Sequence, residues 1–98
     1  MEEKRFFVYI MTNKKYGTLY IGVSSNLVKR VWEHKNHVVK SFTDKYNLDK
    51  LVYYEIHENA ESAIRREKRL KEWQRQWKIE MIDAFNHEWK DLYETIVS

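Results

Sequence analysis

Ninety-eight residues, 43% of them hydrophobic and none of them cysteine or proline, carry a formal charge of +3 and a pI near 9.1. That length suits one domain spanning 1–98, and the missing thiols exclude a disulfide partner, a thiolate metal site and a cysteine nucleophile. The mild basicity admits a nucleic-acid partner without requiring one. Phe6-Phe7-Val8-Tyr9-Ile10-Met11 is apolar at every position. It reads as a strand covered on both faces, central in its sheet, and is far too short to span a bilayer. Met1-Glu2-Glu3-Lys4 is unlike a signal peptide, so no membrane association and a cytoplasmic location are expected. Asn13 to Gly17 is turn chemistry, and Thr18 to Val23 is a second strand that closes an antiparallel hairpin. A four-residue loop would set Tyr9 opposite Tyr20.

Ser24, Ser25 and Asn26 are all N-cap residues, and Leu27, Val31 and Trp32 follow at helical spacing, which predicts about three turns ending at Lys35. The stretch from His37 to Lys50 is polar and irregular, with Phe42, Tyr46 and Leu48 expected as anchors. Leu51 to Ile56 is a third strand. Asn59 can cap a long helix reaching about Gln74, a further helix covers Trp77 to Phe85, and Trp89, Leu92 and Tyr93 close the tail. The order ββαβαα implies an α+β domain on a small three-stranded antiparallel sheet flanked by helices.

Several residues resist a purely structural account. On the long helix Ala60, Ala63, Ile64 and Leu70 define an apolar stripe, and Glu67 falls on it. Such a carboxylate must meet an arginine, a metal or water in a cleft, or else escape at the stripe's edge. Arg30 and His34, at i and i+4, share a face of the first helix with Leu27, and Arg30 could simply neutralise Glu67. Gly22 interrupts a strand, which marks either a close approach to the backbone or a bend into the next helix. Basic residues gather from Lys29 to Lys40 and from Arg65 to Lys78, with Trp32, Trp73 and Trp77 among them. Runs of this kind serve equally as solvated helix faces or as phosphate-binding surfaces.

Taken in order, Tyr9, Tyr20-Ile21-Gly22, Arg30, His34 and Glu67 resemble the signature of the GIY-YIG nuclease superfamily. "LVYYE", "AIRREKRLKEWQRQWKIEMI" and "NHEWKDLY" are similar to its small standalone, excinuclease-like members of the UPF0213 type, so the resemblance covers nearly the whole chain. One departure is that Phe7-Val8-Tyr9 stands where Gly-Ile-Tyr is usual. Another is that the separate DNA-recognition modules of larger relatives have no counterpart here.

The resemblance implies a GIY-YIG endonuclease-like fold and metal-dependent hydrolysis of DNA phosphodiester bonds, in repair or recombination. Glu67 would hold one Mg²⁺ or Mn²⁺ with water and substrate oxygen completing the shell. Arg30 would stabilise charge on the phosphoryl group, and Tyr20 would orient or activate the attacking water. Tyr9 would contact the same phosphate or water, and His34 would be a second phosphate contact or a proton-transfer group. Gly22 would leave room for substrate above the sheet, while Lys29, Lys35, Arg65 and Arg69 would hold nucleic-acid phosphates. The alternative is a nucleic-acid-binding module on the same fold with catalysis weak or lost. A third reading is a protein-interaction domain presenting Trp73, Trp77 and Trp89. Substrate shape, the choice between the two cations and oligomeric state are left open.

Overall fold

The computed structural model describes residues 4–38 and 42–98. The apolar run becomes the central strand β1 (Phe6–Thr12), paired antiparallel with β2 (Leu19–Ser24) on one side and β3 (Lys50–His57) on the other. Strand pleating sends alternate β1 residues to opposite faces, so both are lined by the one apolar run. Val8 and Ile10 pack with Ile21 under α3 (Ala60–Glu72) and α4 (Arg75–Phe85), through Ala63, Leu70 and Ile82. Tyr9 and Met11 face the other way, against Leu27 and Val31 of α1 (Leu27–Lys35) and the tail helix α5 (Tyr93–Val97). The chain is therefore α+β, with a three-stranded antiparallel sheet between helices.

The hairpin differs from its expected register. Tyr9 pairs with Gly22 and Met11 with Tyr20, because the connection spans residues 13–18 and not four. Side chains close this loop. The buried Thr12 hydroxyl donates to the carbonyls of Lys14 (2.9 Å) and Thr18 (2.8 Å), and Asn13 Oδ1 accepts from Thr18 N at 3.1 Å. The offset is two residues, so Tyr9 and Tyr20 keep the same face and become diagonal neighbours.

Asn26 caps α1 by accepting from Lys29 N, and Asn59 caps α3 by accepting from Ser62 N. The segment expected to be irregular contains a short helix, α2 (Phe42–Lys45). Within it Leu48 is the anchor, whereas Tyr46 is exposed; the Phe42 side chain and Lys40 lie outside the described residues. The α3 stripe shifts by a residue: Ile64 is exposed, and Arg66 joins Glu67 in a half-buried position between Ala63 and Leu70. Arg66 reaches Glu55 of β3, donating from Nε to both carboxylate oxygens at 3.1 and 3.0 Å. α3 ends at Glu72, two residues early, because Trp73 turns to extended backbone, and α4 begins at Arg75. Trp89, expected on an aromatic surface, is a core residue at 4% exposure, its indole donating to Asp83. The tail folds onto the sheet through Asp91, whose Oδ1 accepts from Leu51 N and Tyr93 N.

Candidate active site

The Tyr9 ring lies across Gly22 of the neighbouring strand. A Cβ at position 22 would stand 2.5 Å from both Cζ and Oη of Tyr9. The expected clearance above the sheet is thus filled by Tyr9 itself, and glycine is required there because the phenol occupies the space.

Tyr9 is 1% exposed, and its hydroxyl meets His34 Nε2 at 3.0 Å. His34 Nδ1 in turn meets Thr43 Oγ1 at 2.9 Å. His34 is 4% exposed with both ring nitrogens occupied. With both nitrogens taken, His34 is not a direct phosphate contact; it sits behind Tyr9 and holds it. Tyr20 is half-buried beside them, its ring 6.3 Å from that of Tyr9 and edge-on to His34 at 5.7 Å.

Charges converge on this aromatic group from two helices. Burial, first, and then Tyr20, Glu67 and Glu33 push the Tyr9 phenol well above its ordinary pKa, while Arg30 opposes them. Burial and Arg30 lower the His34 pKa, with Glu33 working the other way. At neutral pH the pair is a neutral phenol bonded to a neutral imidazole. Either imidazole tautomer satisfies both contacts. With the proton on Nε2, the Tyr9 hydroxyl keeps its own proton to donate outward.

Arg30 and Glu67 are not each other's partner. Arg30 Nε lies 3.5 Å from Glu33, one turn along α1, and Glu67 lies 3.4 Å from Lys71, one turn along α3. Glu67 is 16% exposed, and its Lys71 partner is largely in solvent. A direct Arg30–Glu67 bridge, the simplest structural use of both residues, is thereby excluded. The groups that bear on Tyr9 are one guanidinium, two carboxylates and a second phenol, with Arg30 42% exposed at the outer side.

Of the four expected phosphate contacts, Lys29 and Arg69 lie exposed, and Arg65 is exposed while paired with Glu61 at 2.7 Å. Lys35 is committed elsewhere: its ammonium bonds Asp91 Oδ2 and the Asp49 carbonyl (3.0 Å) and lies over the Tyr93 ring. It ties α1 to the tail and is withdrawn from that set. Two participants went unanticipated. Glu33 could have been found from its i+3 spacing to Arg30. Thr43 had no local signal, since it reaches His34 across a segment that reads as loop.

Among the described residues no group of three or more His, Asp or Glu side chains could hold a metal, and no helix is long and apolar enough to cross a membrane. A single carboxylate suits a hydrated Mg²⁺ or Mn²⁺, since Mg²⁺ keeps several waters and is held by one or two carboxylates plus substrate phosphates.

The family model described as the GIY-YIG catalytic domain matches residues 5–80, which include all five converging positions. A UPF0213 protein of Clostridium perfringens is 36% identical over 78 residues, covering 80% of this chain and 83% of the relative. A UPF0213 protein of Staphylococcus saprophyticus is 31% identical over 78 residues, covering 80% and 94%. The solution structure of a UPF0213 protein from Bacillus halodurans shares the fold with a TM-score of 0.51 at 24% identity, covering 82% of this chain and 84% of that one. With the family match spanning every one of the motif residues, the chain belongs to the GIY-YIG nuclease family, among its small UPF0213 members.

Proposed function

We propose that this protein is a metal-dependent endonuclease hydrolysing DNA phosphodiester bonds, with the patch around Tyr9 as its active site. The observation that carries this reading is electrostatic: Arg30 and Glu67 both act on the Tyr9 hydroxyl, yet each is ion-paired within its own helix and not to the other. Two opposite charges that both bear on one phenol and do not neutralise each other suit a ligand that needs both.

Glu67 would hold the cation, and Mg²⁺ or Mn²⁺ bound there supplies Lewis-acid stabilisation of a phosphoryl oxygen. The rest is done by the chain. Arg30 swings from its exposed contact with Glu33 and donates its planar fork to the phosphate as charge builds. Tyr9 is a neutral donor at every physiological pH whose outward proton would reach the same phosphate or the attacking water once substrate displaces the cover that leaves it 1% exposed, and His34, fixed by Thr43, sets the direction of that donation. Tyr20, on the same face and only half-buried, orients the water for attack.

Glu67→Ala is expected to abolish cleavage of plasmid, single-stranded and branched DNA in Mg²⁺ or Mn²⁺, matching wild type in EDTA, while its circular dichroism and melting temperature stay close to wild type. Loss of the fold in both Glu67→Ala and Arg30→Ala would make these residues structural and end the nuclease reading. Tight, salt-sensitive DNA binding with no cleavage under any of these conditions would assign the chain instead as a nucleic-acid-binding module.

A further inference from the structure

Trp77, in the first turn of α4, is 49% exposed, while Ile79, Met81 and Ile82 make that helix's contacts with the core. A lone exposed indole needs no explanation, but this one is held. Trp73 meets it edge-on, centroids 6.1 Å apart and planes at 84°, and the Arg66 guanidinium lies 5.2 Å over the Trp73 ring. Arg66 is fixed by both oxygens of Glu55. A chain of contacts from β3 outward thus holds a half-exposed indole at the surface.

Its neighbours decide what that face suits. Gln74 and Gln76 are exposed, Lys78 is half-buried, and Arg75, though exposed, donates to the carbonyls of Tyr16 and Gly17 at 2.6 Å each. The stretch from Arg65 to Lys78 holds seven basic residues against Glu67 and Glu72. Protein-binding patches are depleted in Lys around their aromatic anchors. A ring set among cations matches a π-face tethered to phosphate. Trp73, which backs Trp77, is the C-cap of the helix that carries Glu67, six residues further along the chain.

We propose that Trp77 is a stacking platform for an unpaired nucleobase, so that the strand held near Glu67 is single-stranded at this point; the inference rests on the nuclease reading above. In a duplex both faces of an interior base are already stacked, so an open face selects flaps, gaps or free strands. Stacking of this kind tolerates any base and either sugar.

The test is fluorescence anisotropy in EDTA at fixed salt. Labelled oligothymidylate, oligouridylate and a blunt DNA duplex of equal length are titrated with wild type, Trp77→Ala and Trp77→Phe. Trp77→Ala is expected to weaken strand binding by about 5- to 100-fold and duplex binding by less than about twofold, with Trp77→Phe retaining most of the affinity. A strand with an abasic position opposite Trp77 should lose the same factor for wild type and nothing more for Trp77→Ala. The two homopolymers tell whether DNA or RNA supplies the base. Unchanged strand affinity in Trp77→Ala, or an equal loss on duplex, overturns the platform and leaves the nuclease reading standing. Wild type that binds neither strand nor duplex overturns both.

Discussion

Tyr9 and Gly22 form one unit. The buried phenol cannot swing aside, because its hydroxyl is bonded to His34 and its ring is packed with Met11, Leu27 and Val31. A methyl at position 22 would meet the ring's far end at 2.5 Å. Overpacking of this kind costs about 1–3 kcal/mol, so Gly22→Ala should lower stability by that amount in urea titrations. In a Tyr9→Leu background the same Gly22→Ala change should cost much less, because the clash is with the ring. Equal costs in both backgrounds would place the penalty in the strand backbone instead. The glycine's oddity was legible in the sequence, but its cause was not. Strand propensity says nothing about which side chain lies across a neighbour, and a register two residues away from the expected one put Tyr9, and not a substrate, over Gly22.

At the level of elements, what could be read was what local chemistry determines. The apolar run became the central strand, and Asn26 and Asn59 cap the helices they precede. The hairpin register was missed because Thr12 and Asn13 close the loop with side chains. The tail helix was missed because the segment is held by a long-range group and not by periodicity. That group is Asp91: one oxygen accepts from Leu51 N on β3 and from Tyr93 N, and the other binds the Lys35 ammonium of α1. Asp91→Ala strands a strand-edge N–H and a half-buried ammonium, a loss of about 1–3 kcal/mol. Hydrogen exchange should report it as faster exchange at Leu51 and through α5, with the α3 amides little affected. Uniform acceleration across the chain would mean that the tail is no separate unit.

Across the whole molecule, the sheet separates two polar networks that respond to acid in the same direction. On one face His34 is buried between Tyr9 and Thr43, its pKa held below the ordinary 6.5 by burial first and by Arg30 second. On the other, burial raises the Glu55 pKa, but hydrogen bonds from Arg66, Tyr53 and His57 outweigh it and hold the carboxyl below the ordinary 4.5. In each case the unfolded chain takes up a proton that the folded state resists, so stability rises with pH through the region between the two pKa values. Both contributions are complete above pH 6.5. The first is lost as pH falls below 6.5, the second only below 4.5, which predicts acid destabilisation in two steps. Urea midpoints measured from pH 8 to pH 3 should resolve them. His34→Gln, less stable overall, should lack the upper step and keep the lower; Glu55→Gln should do the reverse. If each variant keeps both steps, the acid response belongs to other groups. Protonation of His34 turns Nδ1 from acceptor to donor toward Thr43 and sets a cation behind Tyr9, while Nε2 goes on donating to the phenol, so DNA cleavage should decline with the upper step and be insensitive to the lower.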